Sequence, residues 1–320
     1  MTQAPHLIPP RRSESDAPTS PKALSSGQWA GGLGFRGDGL PMLRRIQTPR
    51  PRALRQNPAA WAGALLLAAI VGLCLAAPLL TPFSPAAADP ANQLLPPSPA
   101  HPAGTDLFGR DVWSRGLWGG RLSLAASILA VALAALPGSL LGLLAGYGGG
   151  WLDTLLMRLV DMLLAFPSLL LALALVAWLG PGLAGAALAV GLAGIPRFAR
   201  LVRAATLGVR SELYIEAARV VGCRPERILL RHVAPNVRSA VIVLGSLELG
   251  YALLNIGALS FLGLGAQPPA PEWGAMLAEG RALLRDAPWV ATAPGLAITL
   301  TVLAFNLLGD ALRDALDARM

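Results

Sequence analysis

The sequence predicts an all-α, polytopic membrane protein with six transmembrane helices. Hydrophobic residues make up 54% of the 320 residues and charged residues only 14%, whereas soluble domains carry about 25% charged residues. The apolar residues are gathered into long runs, and a helix needs roughly 20 of them to cross the core of a bilayer. Six runs reach or approach this length: 59–80, 122–146, 162–179, 180–196, 239–264 and 287–309.

A soluble protein with buried helices is the alternative, but it would have too little polar surface to cover six such runs. Glu248 is the only charged residue inside them. The third and fourth runs adjoin at the Gly-Pro-Gly sequence 180–182, where a tight turn is favoured. Ala187 and Gly191 have the spacing of small residues that lets helices approach closely. The fourth run is therefore predicted to lie inside the bundle.

Basic residues predict the orientation of the helices, because arginine and lysine collect on the cytoplasmic side of membrane proteins. Segments 1–58 and 197–238 carry nine basic residues each, whereas segments 81–118 and 265–286 carry two each. With both termini in the cytosol, 21 basic residues lie inside and four outside. The net charge of +8 is therefore interpreted as a topology signal and not as a nucleic-acid-binding surface.

The six runs divide the chain into five parts. In the external part, Asp111 is predicted to cap a short interfacial helix that leads into the second span. Residues 1–40 are rich in Pro, Ser and Gly and are predicted to be disordered. The five parts are a cytosolic tail 1–58, the first transmembrane helix 59–80, an external segment 81–121, a five-helix core 122–309 with a cytosolic loop 197–238, and a cytosolic tail 310–320.

The loop 197–238 has the pattern of two helices joined by a glycine turn. Ser211 is predicted to cap the first helix, which ends at Gly222, since glycine readily takes the left-handed conformation of a helix end. Pro225 suits the first turn of the second helix, and Pro235 is predicted to stop it. Apolar residues favour an element that contacts a partner over a solvated linker: Leu213, Ile215, Val220, Val221, Ile228 and Leu229.

The first helix of this loop resembles the EAA motif of the permeases of bacterial ATP-binding-cassette (ABC) importers. Over about residues 42–320 the sequence is similar to one branch of that family, the C-type permeases of dipeptide, oligopeptide and nickel importers. Ala234 departs from the leucine that usually precedes the proline of the motif. The matching strings are Glu216-Ala217-Ala218 with Gly222 and Pro235, segments 101–106 and 109–115, segment 164–167, segment 259–265 and the tail 303–316.

The resemblance implies a type I ABC importer permease fold in the cell inner membrane. It implies a homologous permease that completes a heterodimer, two cytosolic ATP-binding subunits and an extracytoplasmic solute-binding protein. In the family this loop is a coupling helix that docks into the ATPase. The implied cargo is a dipeptide, oligopeptide or peptide-like solute, with nickel or a metal chelate as the alternative. The residues thereby assigned to ATPase coupling are Glu216, Ala217, Ala218, Gly222 and Pro235.

The chain lacks residues that would hydrolyse ATP or carry out other catalysis. A phosphate-binding P-loop needs a lysine followed by Ser or Thr, and the only lysine, Lys22, precedes Ala23. Two cysteines and three histidines at unrelated positions form no zinc constellation. The sequence therefore predicts no enzyme activity, no metal and no cofactor. The weaker alternative is an external metal site of His101, Asp106 and Asp111.

Glu248 is an intramembrane carboxylate and hence a candidate for the translocation path. Pairing with a polar group of a partner subunit, or a protonated state, are the other roles left open. The resembling family usually has an acidic residue where this sequence has Ile256. Arg158 and Asp161, three residues apart, are predicted to form a structural ion pair. A stand-alone secondary transporter is the rival class, but it would need several intramembrane polar residues.

Overall fold

The computed structural model describes residues 57–317, with side chains described as far as residue 315. The predicted disorder of residues 1–40 lies outside this part of the chain. Regular structure within it is helical, apart from an isolated antiparallel bridge between Thr105 and Asp111. The predicted all-α class is confirmed.

Eleven α-helices are found in the described residues. A π-helical segment, Leu229–Val233, joins the eighth helix to the ninth. In chain order the helices are α1 (Pro58–Leu75), α2 (Ala77–Leu80), α3 (Val112–Gly148), α4 (Gly150–Leu164), α5 (Ser168–Leu179), α6 (Leu183–Arg210), α7 (Leu213–Val220), α8 (Pro225–Ile228), α9 (Ala234–Phe261), α10 (Trp273–Gly280) and α11 (Trp289–Asp317).

Five helical stretches are long and apolar enough to cross a membrane: α1, α3, α6, the stretch from α8 through α9, and α11. A sixth span results if α4 and α5 count as one broken span, whose two parts are bent by 90°. The break contains Pro167, which has no N–H to donate and whose ring excludes a straight helix. Counted in this way, the six predicted spans correspond to five helical stretches and one bent pair.

The helix α3 joins the predicted interfacial helix and the second predicted span in one helix of 37 residues. Asp111 caps it as predicted, since its carboxylate accepts a hydrogen bond from the N–H of Ser114 at 2.7 Å. The two predicted helices are continuous in the structure, and the glycines in this stretch allow close packing: a Cβ added at Gly119 would lie 1.7 Å from the carbonyl oxygen of Pro271.

The helix α6 extends beyond the predicted end of the fourth span. We expected that span to end at Pro196, whereas the helix continues to Arg210. It remains helical because its next three arginines bind carboxylates of other helices, and the connection that follows covers residues 211–233 rather than 197–238. The pairs are Arg197–Glu248 at 3.0 Å, Arg200–Asp161 at 2.5 Å and Arg203–Asp153 at 2.5 Å.

A seam of small residues joins α3 to α6, which run parallel. Gly191 packs against Ala130 toward one end of the seam, and Gly146 packs against Thr206 at the other. A Cβ added at Gly142, between these points, would lie 2.5 Å from a backbone carbonyl oxygen of α6. The two backbones approach this closely because no side chain separates them. The prediction that the fourth span is buried in the bundle is confirmed.

The two long connections, 81–111 and 262–288, lie together at the end of the bundle where α3 begins. Arg110 and Arg115 both donate to the same carboxylate oxygen of Glu279, at 2.7 and 3.0 Å. Both connections therefore lie on one side of the membrane, as the topology prediction requires. The assignment of that side to the exterior stays a prediction.

Candidate functional site

The connection between α6 and α9, residues 211–233, lies at the opposite end of the bundle. It holds α7 and α8, so the predicted pattern of helix, turn and helix is confirmed. Ser211 does not cap α7, because it closes the preceding helix: its hydroxyl donates to the carbonyl oxygen of Gly208 at 2.8 Å. Glu212 occupies the position before α7, and its side chain makes no capping hydrogen bond.

Gly222 ends α7 in the left-handed conformation that the sequence predicts, with a φ of +82°. Its N–H donates to the carbonyl of Arg219 at 2.9 Å, and the N–H of Cys223 donates to that of Ala218 at 3.0 Å. This pair of bonds is a Schellman motif, which satisfies free carbonyl groups at the end of a helix. A Cβ at position 222 would meet no atom within 4 Å. Glycine is therefore needed here for its backbone conformation and not for space.

Two apolar residues anchor the loop to the bundle. Ile215 on α7 and Ile228 on α8 are fully buried. They share one cluster with Val202 of α6, with Val233 at the end of the π-helical segment and with Val237 in the first turns of α9. Both short helices therefore pack against α6 and the chain that leads into α9.

The opposite side of α7 is exposed and largely apolar. Leu213 and Val220 are 79% and 88% exposed, and Glu216 and Ala217 are exposed between them. Their spacing of i, i+3, i+4 and i+7 places all four on one side of the helix. We call Leu213, Glu216, Ala217 and Val220 the docking face. The carboxylate of Glu216 has no cationic partner among the described residues.

The structure thus divides the motif residues between two sides of α7. Glu216 and Ala217 belong to the docking face, where a small residue lets another surface approach. Ala218 is half-buried and packs against the cluster that contains Ile215. Its small size suits this contact with the bundle, and its predicted contact with a partner stays a prediction.

The prediction that Pro235 stops the second helix of the loop is wrong. The chain remains helical from Pro225 to Phe261, and Pro235 lies in the first turn of α9. Proline cannot donate to the carbonyl four residues before it, and its ring clashes with that group. The π-helical turn at Leu229–Val233 directly precedes this point and widens the helix, which relieves the clash.

A polar contact also links α7 to α9. The side-chain amide of Asn236 donates to the hydroxyl of Tyr214 at 3.1 Å. Partial burial, and then the charge of Glu212, raise the pKa of Tyr214 above its ordinary value. The phenol therefore remains protonated and neutral at physiological pH. It adds a neutral hydrogen bond to the apolar anchors of the loop.

The intramembrane Glu248 has a partner that sequence reasoning missed. It binds Arg197 at 3.0 Å, whose guanidinium carbon lies 4.3 Å from the ring centre of Tyr251. The predicted pair of Arg158 with Asp161 is not formed, because Asp161 binds Arg200 of α6 instead. No sequence signal pointed to these partners, since each lies on a different helix.

The alternative of a metal site at the opposite end finds no support in the geometry. His101 Nδ1 lies 2.9 Å from a carboxylate oxygen of Asp111, and the other carboxylate oxygen of Asp111 caps α3. Asp106 binds Arg110. Among residues 57–317 there is no group of three or more side chains suited to hold a metal ion.

A bundle of membrane-spanning helices with an exposed helical face at one end is the architecture expected of a transport permease. The comparisons agree: the chain belongs to the family described as binding-protein-dependent transport system inner membrane component, whose model matches residues 138–320. The model of the N-terminal TM domain of oligopeptide transport permease C matches residues 52–97. The chain is therefore a polytopic permease of a bacterial ABC importer, and the resemblance seen in the sequence is confirmed.

Two curated relatives are similar over most of their length. The dipeptide transport system permease protein DppC of Alkalihalophilus pseudofirmus is 46% identical over 269 residues, which cover 84% of this chain and 88% of the relative. The glutathione transport system permease protein GsiD of Pectobacterium atrosepticum is 47% identical over 288 residues, which cover 88% and 95%.

A solved structure supports the predicted type I importer permease fold. An inward-facing form of the MetNI methionine ABC transporter matches with a TM-score of 0.53 at 18% identity. The match covers 64% of this chain and 96% of that chain. At this identity the likeness concerns the fold alone.

Proposed function

We propose that this permease imports dipeptides or peptide-like solutes across the inner membrane, and that its docking face binds the ATPase that drives transport. The cargo is supported by the relatives, which are named as dipeptide and glutathione permeases. Those names favour a peptide over nickel or a metal chelate. The coupling role rests on one observation: an exposed apolar face on α7, held to the bundle by Ile215 and Ile228.

The chemistry of the docking face suits a protein groove. Burial of a leucine or valine side chain contributes about 1.5–3 kcal/mol, so Leu213 and Val220 supply apolar contact. Glu216 adds one negative charge between them, which can meet a cation of the partner. Pro235, in the first turn of α9, sets the path of the chain behind this face.

The remaining partners follow from the family. A homologous permease completes the pathway as a heterodimer, two cytosolic ATP-binding subunits supply the energy, and an extracytoplasmic binding protein delivers the cargo. The purified chain alone is expected to hydrolyse no ATP, because it has no P-loop lysine. Uptake by the chain alone under an ion gradient would favour the rival class, a stand-alone secondary transporter.

We expect Leu213→Asp and Glu216→Lys to lower capture of the ATPase subunits at least about tenfold, since one removes apolar contact and the other reverses the charge of the docking face. The measurement is co-purification of the ATPases with tagged permease, normalised to the permease inserted in the membrane. Leu107→Asp is the matched control, because Leu107 is also an exposed leucine but lies in the connection at the opposite end. Normal capture in both docking-face variants would remove the coupling role from α7.

The proposed orientation places both termini and the loop 211–233 in the cytosol. A membrane-impermeant thiol reagent is expected to label engineered cysteines at Ala88 or Gln267 in intact cells, and to leave one at Ser211 unlabelled. All three positions are exposed, and Cys223 is first replaced by serine because it lies in the loop under test. Labelling at Ser211 before the cells are opened would reverse the orientation.

A further inference from the structure

A cluster of polar side chains lies in the middle of the bundle, away from the connection 211–233. Arg197 lies halfway along α6 and Glu248 halfway along α9, where they form an ion pair with 3.0 Å between Nη2 and Oε2. The guanidinium carbon of Arg197 also lies 4.3 Å from the ring centre of Tyr251. The hydroxyl of Tyr251 is 2.7 Å from that of Ser168, the first residue of α5 after the break of the bent span.

This cluster is open on one side. The side chain of Arg197 is 26% exposed, and Tyr251 is 39% exposed. A charge in contact with lipid tails is costly, so ionisable residues at this depth face a water-filled cavity or another protein. The open side therefore lies toward the pathway or toward the second permease, and not toward lipid.

The guanidinium of Arg197 retains donor capacity. Its Nη2 lies 3.0 Å from the carboxylate of Glu248 in an ion pair, and its side chain is 26% exposed, so part of the guanidinium is open to a ligand. Its Nε is buried and plays no part in that contact. Guanidinium groups bind carboxylates through paired N–H donors. The adjacent carboxylate of Glu248 attracts an ammonium group, because it carries the opposite charge and accepts hydrogen bonds from the N–H groups. A cation and an anion side by side match a peptide that carries both a carboxylate and an ammonium group.

We propose that Arg197 and Glu248 form a charged contact site on the translocation pathway, where Arg197 meets the carboxylates of a passing dipeptide and Glu248 its amino groups. The inference rests on the proposed function, because it concerns the same cargo. It makes Arg197 a residue that sets the preference among peptides of different charge. With the cargo absent, the two side chains neutralise each other.

A second ion pair on α6 provides a matched control. Arg200 binds Asp161 at 2.5 Å, and their side chains are 61% and 53% exposed. The pair lies one turn from Arg197 on the same helix, but its partner comes from α4 instead of α9. Neutralising it removes an ion pair from α6 without changing the charge of the proposed contact site.

The test uses the complete importer in proteoliposomes, with saturating loaded binding protein, and two probes, Ala-Glu and Ala-Lys. Arg197→Gln is expected to lower the uptake rate of Ala-Glu relative to Ala-Lys about fivefold. Glu248→Gln is expected to shift the same ratio in the opposite direction. Arg200→Gln is expected to leave it within about twofold of wild type. A purely structural role of the pair would lower uptake of both peptides together.

The double variant Arg197→Gln/Glu248→Gln leaves neither partner of this ion pair with an uncompensated charge and is expected to assemble normally with the second permease. Loss of that permease from the purified complex would show that the cluster is a contact between subunits, which overturns the inference. An unchanged uptake ratio in both single variants would overturn it as well. Failure of the wild-type complex to take up any dipeptide would instead contradict the proposed function.

Discussion

Gly142→Leu is expected to prevent normal packing of α3 against α6. An added Cβ would lie 2.5 Å from the carbonyl oxygen of Ala199 and 2.7 Å from the Cβ of Val202. Both helices have neighbours on their other sides, so neither can withdraw without disturbing further contacts. Overpacking of this kind costs about 1–3 kcal/mol. The seam is also where a membrane bundle gains its van der Waals contact, because lipid tails provide no hydrophobic drive for association.

For the Gly142→Leu variant, the midpoint of thermal unfolding in detergent is expected to fall by roughly 4–8 °C relative to wild type. We also expect a loss of monodisperse protein in size-exclusion chromatography. Gly72→Leu is the matched control: Gly72 is exposed on α1, and a Cβ there would meet nothing within 4 Å. An unchanged midpoint for Gly142→Leu would show that α3 and α6 separate at little cost and that the seam does not hold the bundle together.

The existence of the spans was predictable, but several of their ends were not. We predicted that the fourth span ends at Pro196 because the arginines that follow it are typical of a loop in water. In the structure Arg197, Arg200 and Arg203 stay on a helix because each binds an acid of another helix. Those acids lie between 39 and 51 residues away in the sequence. A single sequence contains no signal for such pairing, which depends on how the helices assemble.

The connection 211–233 shows the same limit at a smaller scale. Its helices and glycine turn were predictable from local sequence, because Gly222 and Pro225 have strong conformational preferences. Six apolar residues indicated a contact surface, but three of them lie against the bundle: Ile215 and Ile228 are fully buried, and Leu229 packs beside them. The division between anchors and docking face depends on where α6 and α9 end.

Gly222→Val is expected to reduce ATP-driven peptide uptake to background while leaving the chain inserted in the membrane. The φ of +82° costs a residue with a side chain about 1–2 kcal/mol, and a β-branched residue more. Relief of this strain breaks the Schellman bonds to Ala218 and Arg219, so α7 loses its fixed end. The docking face then no longer holds its position relative to α8.

A graded series separates backbone conformation from space at position 222. Asparagine tolerates the left-handed region better than alanine, and alanine better than valine. Uptake by the complete importer should therefore be highest for the wild type with glycine, lower for Gly222→Asn, lower again for Gly222→Ala, and lowest for Gly222→Val. Gly208→Val is the control, because Gly208 also has open space around it but lies within α6 without a positive φ. Since nothing lies within 4 Å of a Cβ at 222, a decline that followed side-chain volume alone would mean that a bound ATPase fills this space. Wild-type uptake in all three variants would show that the turn does not transmit the force of ATP hydrolysis.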